Sequence, residues 1–295
     1  MKLTYEAFAK INLILDVTGV KPNGYHKLFT VMQSIGLKDL VTVEKIVGEE
    51  IKISCTDSAV PTDSKNIVYK CAVKFFEYFN VTKNKGIHIH IEKNIPSMAG
   101  LGGGSADGAA VLVALNEIFG VNAKKRTLMH IGGKVGADIP FCIAGGTALC
   151  QDIGTVVAPL PDIADFSIII VKPENGSSTV KAYDAIDEMG ERLKHTKNNE
   201  MLELLLAEES EKALKYCDNV FEQVIEVPDR VDIKDVLRKN NSKAACMSGS
   251  GSAIYGIFTC AEDAKKAQKE LLQKYSKVYL CNPQREGVKK FKRVE

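Results

Sequence analysis

A run of glycines at the start of a helical segment constrains this chain more than any other feature of its sequence. Four of the five residues at 100–104 are glycine, and Ser105 and a long apolar segment follow at once. Glycine tolerates left-handed dihedrals and lets a ligand approach closely, so consecutive backbone N–H groups can converge on one point. The positive end of the helix dipole adds to the same point. The loop therefore predicts an anion site, with phosphate as the expected ligand.

Two common phosphate loops do not match this segment. A P-loop needs Gly-Lys-Ser/Thr after its last glycine, whereas Gly104 is followed by Ser105 and Ala106. The dinucleotide fingerprint GxGxxG would need a glycine at 105 or 107, where the chain has Ser105 and Asp107. A flexible loop, or a place where a strand and a helix pack closely, is the alternative use of these glycines. The pattern predicts a phosphate loop of another kind.

The size and charge of the chain limit the classes of protein to which it can belong. With 295 residues, of which 45% are hydrophobic, it can bury a core and should form two domains or one large one. Its 39 basic and 37 acidic residues nearly cancel, so the charge favours neither nucleic acid nor a membrane surface as a partner. We therefore expect a small-molecule ligand, no nucleic acid and no membrane.

The cysteines and the first residues bear on the cellular compartment. Eight cysteines are scattered without a CxxC pair, which argues against a zinc site and a small disulfide framework. Reduced thiols of a cytoplasmic protein fit this usage best. Glu6, Lys10 and Asn12 interrupt what would be the apolar core of a signal peptide. No stretch approaches the roughly 18 apolar residues of a membrane span.

Apolar periodicity predicts mixed strands and helices, which is the α+β class. Strands are predicted at 3–17, 40–47, 87–93, 145–150, 166–171 and 277–280, with strand-like segments between 243 and 258. Helices are predicted at 67–79, 105–118, 124–134, 179–190, 199–216, 232–239 and 261–274. Pro159 and Pro161 predict a boundary between domains at 1–160 and 161–295. The basic residues of 289–293 are expected to form a solvated tail.

Three polar features stand out from the apolar pattern. Lys10 and Asn12 share one face of the opening strand, which suits a sheet edge or the lining of a cleft. Asp138 lies between Gly136 and Pro140 near the start of a short helix, where a capping role and a catalytic role are both open and compatible. The Gly/Ser-rich residues 247–254 favour a hairpin turn on their own. Together with the glycine run they favour a bound polyanion such as a nucleotide.

These segments resemble the motifs of the GHMP kinase superfamily, a group of small-molecule kinases. Residues 96–107 (PSMAGLGGGSAD) are similar to its phosphate loop, 7–13 (AFAKINL) to its first motif and 247–253 (MSGSGSA) to its third. The three occur in the expected order over nearly the whole chain. The resemblance implies a two-domain fold, with one domain like the second domain of ribosomal protein S5 and a ferredoxin-like C-terminal domain. It places the active site in the cleft between them.

The resemblance also implies roles for individual residues. Lys10 and Asp138 would form the catalytic pair, with Asp138 taking the proton of the attacking hydroxyl and Lys10 holding the carboxylate ionised. Mg²⁺ is expected with ATP, and Ser105 is its expected neighbour. Asn66 and Lys93 are expected on the adenine side of the pocket. The ATP phosphates would be wrapped by Pro96, Ser97, Met98, Ala99, Gly100, Leu101, Gly102, Gly103, Gly104, Ser105 and Ala106.

A finer resemblance indicates one branch of the family. The segments 10–13, 23–26 (NGYH), 102–104 and 136–140 are together similar to kinases that phosphorylate the 2-hydroxyl of a cytidine diphosphate-linked methylerythritol, in the non-mevalonate route to isoprenoid precursors. Tyr25 and His26 would then bind the cytidine, with Tyr183 stacking on it. Asn12 and Thr179 would seat the erythritol or its diphosphate. Ordinary core packing is the alternative for Tyr183.

Two other functions stay open at this point, and so does the oligomeric state. A different GHMP kinase, acting on an amino alcohol or a sugar, would share the glycine loop but differ at the nucleobase end. A non-catalytic nucleotide sensor would share the fold, although the presence of Lys10 and Asp138 beside an intact glycine loop argues against it. The resemblance is compatible with a monomer or a homodimer.

Overall fold

The computed structural model describes residues 1–163, 165–174 and 179–292, and for 179 and 180 the backbone alone. Its first half contains β1 (Lys2–Val20), β2 (His26–Lys45), β3 (Ile51–Cys55), α1 (Ile67–Tyr78), β4 (Ile87–Glu92), α2 (Gly103–Ile118), α3 (Lys125–Gly133), α4 (Ile139–Ala144), β5 (Thr147–Asp152) and β6 (Val156–Pro159). Its second half contains β7 (Ser167–Val171), α5 (Thr179–Met189), α6 (Asn198–Leu206), α7 (Ser210–Ala213), β8 (Asp218–Asn219), α8 (Arg230–Lys239), β9 (Ala244–Met247), β10 (Ile254–Phe258), α9 (Ala261–Leu271), β11 (Val278–Cys281) and β12 (Val288–Lys290). The α+β class is therefore confirmed.

A long hairpin of β1 and β2 forms the centre of the first sheet. The two strands pair antiparallel from Lys2 opposite Glu44 to Val20 opposite His26. Along the sheet the order is β12-β1-β2-β4-β3, while β5 pairs with β2, β6 with β5, and β8 runs parallel to β1. The helix α2 packs against β1 and is flanked by α1 and α4. Ten of the sixteen residues of α2 are buried, including nine of the ten at 106–115, so this helix is the centre of the first core.

The second sheet has the order β11-β7-β10-β9 in the described part of the chain, and α8 and α9 pack against it. Its middle strands β7 and β10 are buried throughout, which is expected of strands covered on both faces. A separate apolar cluster forms here, and Leu15 and Val17 of β1 belong to it. The first strand therefore contributes side chains to both cores.

Most predicted helices are confirmed, but two segments differ from expectation. The helix predicted at 199–216 is divided, because α6 ends at Leu206 and Glu208 takes a positive φ of 60° before α7 begins. The strand predicted at 40–47 begins much earlier, at His26, since β2 pairs with β1 along its whole length. Among the described residues, no helix combines the length and the apolar character that crossing a bilayer requires.

The first residues of 289–293 are exposed, as expected of a solvated segment, but they do not form a tail. Val288–Lys290 forms β12, which pairs antiparallel with β1 and places Lys290 opposite Tyr5. Lys290 also forms an ion pair with Glu117 of α2. Both partners are distant in sequence, so local charge gave no sign of them. The domain boundary near 160 stays a prediction, and β8 and β12, which follow it in sequence, join the first sheet.

Candidate active site

Two pockets meet at the glycine loop. The larger, of about 680 Å³, is bounded by β1, the β1–β2 hairpin, the start of α4, α5 and the loop between β9 and β10. Its lining brings together these residues singled out in the sequence: Lys10, Asn12, Tyr25, His26, Gly100, Gly102, Ser105, Asp138 and Tyr183. The smaller, of about 300 Å³, is lined by Asn66, Lys93 and 96–104. Because Gly100 and Gly102 line both, the loop separates two connected compartments.

The glycine loop leads into α2 with a left-handed turn. Gly100 has a φ of +73° and Gly102, at the N-cap of α2, a φ of +69°, both of which favour glycine. No side chain caps the helix, so its first N–H groups are available to an anion. The backbone N–H of Lys10 donates to the Leu101 carbonyl at 3.0 Å and ties the loop to β1.

The second Gly/Ser loop packs directly on the first. A Cβ on Gly100 would lie 2.0 Å from the Ser248 carbonyl oxygen, which no side chain could tolerate. The Ser248 hydroxyl donates to the Gly100 carbonyl at 2.9 Å, and the Ala253 N–H donates to the Ala99 carbonyl at 3.1 Å. The loop at 248–253 therefore connects β9 to β10 and also supports the glycine loop from behind.

Lys10 and Asp138 lie together beneath the glycine loop. The Nζ of Lys10 is 3.6 Å from Oδ2 of Asp138, and the lysine side chain is 4% exposed while the aspartate is 31% exposed. A Cβ on Gly102 would lie 3.0 Å from Cγ of Lys10 and 3.7 Å from Oδ2 of Asp138. Asp138 occupies the N-cap position of α4, but its side chain makes no capping hydrogen bond. Its carboxylate is therefore directed to the pocket and the lysine.

Asn12 orients the lysine. Its Oδ1 accepts a hydrogen bond from Nζ of Lys10 at 2.7 Å, and its Nδ2 donates to the Thr30 hydroxyl at 2.8 Å. The register of β1 against β2 shifts between Phe8 and Lys10 and again between Asn12 and Ile14. Such bulges re-aim side chains locally, which explains how two polar residues lie in a buried stretch.

Asn66 and Lys93 line the smaller pocket, and both are also bonded to the protein. Oδ1 of Asn66 accepts from the Val68 N–H at 3.0 Å, which caps α1. The Nζ of Lys93 lies 2.5 Å from Oδ2 of Asp39 and 2.8 Å from Oδ2 of Asp107. A Cβ on Gly103 would lie 3.0 Å from that Nζ, so the buried ion cluster is directly behind the glycine loop.

Asp39 and Asp107 also lie beside the site, although the sequence assigned no function to either of them. Oδ1 of Asp39 accepts from the backbone N–H groups of Asn94 and Ile95, at 2.6 and 2.8 Å, and so fixes the segment that enters the loop. Burial raises the pKa of Asp107 to about 8; Lys93 opposes this rise and the Asp39 carboxylate adds to it. Its Oδ1 makes no hydrogen bond to the described residues. A charged residue within an apolar helix was the available signal for Asp107.

The aromatic end of the larger pocket is built by the hairpin and α5. His26 stacks on Tyr183 with ring centroids 4.6 Å apart and planes at 26°, and Tyr183 meets the ring of Phe221 edge-on at 5.1 Å. Tyr25 is 60% exposed beside them. Tyr183 thus has packing partners and lines the pocket as well. The Thr179 side chain lies outside the described residues.

The described residues contain no group of three histidine, cysteine or acidic side chains placed to hold a metal ion. The Ser105 hydroxyl and the Asp138 carboxylate both line the larger pocket, so it offers oxygen donors of the kind that Mg²⁺ prefers. Such a small set suits a metal that keeps several waters and binds chiefly to the phosphates of its ligand.

Comparison with known proteins finds GHMP kinases that match most of the chain. Family models described as the GHMP kinases N terminal domain and GHMP kinases C terminal match residues 66–146 and 196–277. A 4-diphosphocytidyl-2-C-methyl-D-erythritol kinase of Caldicellulosiruptor bescii is 43% identical over 92% of this chain and 94% of its own. One of Clostridium botulinum is 40% identical over 93% and 98%.

Two solved structures extend the likeness to three dimensions. The crystal structure of a 4-(cytidine 5'-diphospho)-2C-methyl-D-erythritol kinase superimposes with a TM-score of 0.77 at 27% identity, covering 96% of this chain and 99% of that one. A homoserine kinase from Cytophaga hutchinsonii gives a TM-score of 0.77 at 19% identity, with 98% and 97% covered. The second likeness concerns the fold alone.

Proposed function

This chain belongs to the GHMP kinase family, and we propose on that basis that it transfers the γ-phosphate of ATP to the 2-hydroxyl of 4-diphosphocytidyl-2-C-methyl-D-erythritol. As a member of the family it is a small-molecule kinase with ATP as the phosphate donor. The reaction would be a step of the non-mevalonate route to isoprenoid precursors. The curated relatives with that name cover nearly the whole chain.

One observation carries the chemistry of the proposal. Lys10 and Asp138 lie 3.6 Å apart beneath Gly102, where the two pockets meet. ATP in the smaller pocket would direct its terminal phosphate along the glycine loop toward this pair. An alcohol in the larger pocket would reach the pair from the other side. The two substrates would therefore meet over the Asp138 carboxylate.

The proposed mechanism assigns one task to each group. The N–H groups at the start of α2 would hold the phosphates, as helix N-termini do for anions. Asp138 would accept the proton as the hydroxyl oxygen attacks the γ-phosphorus and the bond to the ADP oxygen breaks. Lys10, held in place by Asn12, would stabilise negative charge on the transferred group. Mg²⁺, with Ser105 as a neighbour, would neutralise charge on the phosphate oxygens.

The nucleobase end distinguishes this proposal from other GHMP kinases. Tyr25, His26 and Tyr183 line one end of the larger pocket and offer aromatic faces for a base. Homoserine, mevalonate and simple sugars carry no aromatic ring of their own to stack on these faces. We propose that the cytidine lies there, with Asn12 and Thr179 nearer the erythritol and its diphosphate.

A substrate panel tests the proposal. ADP release is followed with ATP, Mg²⁺ and, in turn, the cytidine diphosphate compound, homoserine, mevalonate and galactose. We expect turnover with the cytidine compound alone, and its kcat/KM should exceed the others by several orders of magnitude. Equal turnover of homoserine or a sugar would contradict the choice of substrate. Tight ATP binding without any substrate-dependent ADP release would instead favour a nucleotide sensor.

Two further properties belong to the proposal. All eight cysteines are free thiols, which supports a reducing compartment, and we propose the cytoplasm. The two pockets are formed within one chain, so both a monomer and a homodimer are compatible with activity.

A further inference from the structure

The His26 ring is held by two residues of one helix. Its plane stacks on Tyr183 at 4.6 Å, and its Nε2 lies 2.8 Å from Oδ1 of Asp187. Tyr183 and Asp187 are four residues apart on α5, so they lie on the same face of that helix. Tyr183 sets the plane of the imidazole and Asp187 sets its rotation within that plane. The histidine side chain is 12% exposed and lines the larger pocket.

The contact with Asp187 decides which ring nitrogen carries the proton. An ionised carboxylate only accepts hydrogen bonds, so Nε2 must donate to it. In the neutral imidazole the other nitrogen, Nδ1, then carries a lone pair and acts as an acceptor. Within the described part of the chain, Nδ1 makes no hydrogen bond, and the Asp187 contact is the one hydrogen bond of the ring. Because His26 lines the larger pocket, Nδ1 would serve there as an acceptor of fixed orientation.

An oriented acceptor discriminates between pyrimidines. Cytosine carries an exocyclic amino group, which donates, at the position where uracil carries a carbonyl oxygen, which accepts. A lone pair on Nδ1 can bond the amino group, but it faces the carbonyl oxygen of uracil with no hydrogen between them. A buried acceptor left without a donor is costly, so the discrimination acts against the wrong base.

We propose that Asp187 is a positioning residue that fixes the His26 tautomer and thereby makes the pocket select an amino-bearing pyrimidine over an oxo-bearing one. This inference rests on the proposed function, since it assigns the base selectivity of the same pocket. Asp187 acts through His26 and has no contact with the reacting atoms. Its side chain is 57% exposed, so its replacement leaves the core intact.

The test compares two substrates in matched variants. The cytidine and uridine diphosphate forms of methylerythritol are each assayed for kcat/KM with wild type, Asp187→Asn and Glu188→Gln. An asparagine amide can accept from or donate to the ring, so Asp187→Asn no longer fixes the tautomer but keeps the shape of the side chain. Glu188→Gln removes one negative charge from the same helix, and Glu188 lines neither pocket and has no hydrogen bond to His26 in the described structure.

We expect the cytidine-to-uridine ratio of kcat/KM to fall about tenfold or more in Asp187→Asn, which is the usual range for a lost base-specific contact. The ratio should stay near the wild-type value in Glu188→Gln. A ratio that is unchanged in Asp187→Asn would overturn the inference and leave the proposed function standing. If wild type phosphorylates neither compound, the proposed function fails and the inference fails with it.

A spectroscopic measurement reads the tautomer directly. The ¹⁵N shifts of the His26 ring, at a pH where the imidazole is neutral, distinguish a proton on Nε2 from one on Nδ1. Wild type should show the Nε2–H form, and Asp187→Asn should show a mixture. A wild-type ring protonated on Nδ1 would overturn the inference whatever the kinetics. Thermal unfolding of each variant, followed by circular dichroism, checks that a fall in the cytidine-to-uridine ratio of kcat/KM does not reflect unfolding.

Discussion

Asp138 shows how a residue can stand at a helix start without capping the helix. An N-cap side chain normally bonds the first N–H groups from an extended backbone conformation. Asp138 instead has φ −80° and ψ −14°, which are helical values, and its carboxylate makes no bond to α4. It faces Lys10 at 3.6 Å. Of the two roles that the sequence left open, the side-chain geometry favours the chemical one.

Replacement of the proposed base should affect turnover more than binding. In Asp138→Asn we expect kcat to fall about 10²-fold or more with little change in either KM, since a positioned base contributes about 10²–10⁴. Lys10→Ala should behave similarly. Asp152→Asn is the matched control, because Asp152 also pairs with a lysine, Lys21 at 2.7 Å, and lines neither pocket. Steady-state kinetics check this, and near-normal turnover in Asp138→Asn would refute the assignment.

The buried carboxyl of Asp107 should make stability depend on pH. Its pKa is raised from 3.8 to about 8, so between these values the folded protein holds a proton that the unfolded chain releases. Its contribution to stability is therefore fully present below about pH 4 and is lost as the pH rises toward 8. The side chain of Asp107→Asn does not titrate, so the variant lacks this fall in stability. The unfolding free energy of the variant minus that of wild type should therefore rise between about pH 4 and 8 and stay constant above this range.

Urea denaturation at pH 5, 6, 7 and 8 measures that difference. Asp263→Asn serves as a control, since Asp263 is an acidic residue in the first turn of another helix, α9. A difference between Asp107→Asn and wild type that is constant with pH would show that the carboxyl does not titrate in this range.

At the scale of elements, the two Gly/Ser loops act as one unit. The glycine loop is bonded to β1 through Leu101 and to the loop at 248–253 through Ala99 and Gly100. That second loop is held in turn by Asn219, whose Nδ2 donates to the carbonyls of Met247 and Gly249, each at 2.8 Å. The conformation of the phosphate loop is therefore set by its contacts with β1 and with the loop at 248–253, and ATP would meet it already formed.

A methyl group at Gly100 should disrupt this unit. In Gly100→Ala the new Cβ would meet the Ser248 carbonyl at 2.0 Å, in addition to the strain of a φ of +73°. Gly120→Ala is the control, because its φ is +61° and nothing lies within 4 Å of the added Cβ. The control should be destabilised only by the strain of its left-handed backbone, which costs roughly 1–2 kcal/mol.

We expect Gly100→Ala to raise the KM for ATP at least tenfold and to melt at a lower temperature than Gly120→Ala. Kinetics and thermal melts of the two variants side by side give the comparison. Equal effects of the two substitutions would mean that the loops do not interlock.

Elements that depend on neighbouring residues could be predicted from the sequence. Features that depend on contacts between residues far apart in the chain could not. The helix Ile67–Tyr78 follows from apolar spacing within its own twelve residues, and its cap Asn66 is adjacent. Asp39 carries no local sign of its role, because its partner Lys93 lies 54 residues away. Lys10 and Asp138 are also far apart in sequence, and it was the resemblance of their motifs that linked them. Local pattern alone could not supply this pairing.

At the scale of the whole molecule, β1 is the element on which both halves depend. It pairs with β2, β8 and β12 in the first sheet, and its residues Leu15 and Val17 belong to the second apolar cluster. The same strand carries Lys10 and Asn12. Lys10 of the proposed catalytic pair thus lies on a strand that pairs with three others, which suits a group that must be held rigidly.

Removal of β12 should weaken this arrangement. A chain that ends after Gly287 loses the pairing of 288–290 with 5–7 and the ion pair between Lys290 and Glu117. Since each lost backbone hydrogen bond costs about 0.5–1.5 kcal/mol, stability should fall by an amount on the order of a few kcal/mol. A chain that ends after Lys292 keeps the strand and is the control. Thermal unfolding midpoints check this, and identical midpoints would show that β12 adds nothing.

The pairing of β12 with β1 also has a consequence during protein synthesis. Residues 5–7 are synthesised long before their partners at 288–290, because most of the chain lies between the two segments. At about 5–20 residues per second, the interval is on the order of 15–60 s. Throughout it, one edge of β1 presents unpaired N–H and C=O groups to other nascent chains on the same message. Chaperone occupancy of ribosome-bound chains should therefore persist until β12 has emerged.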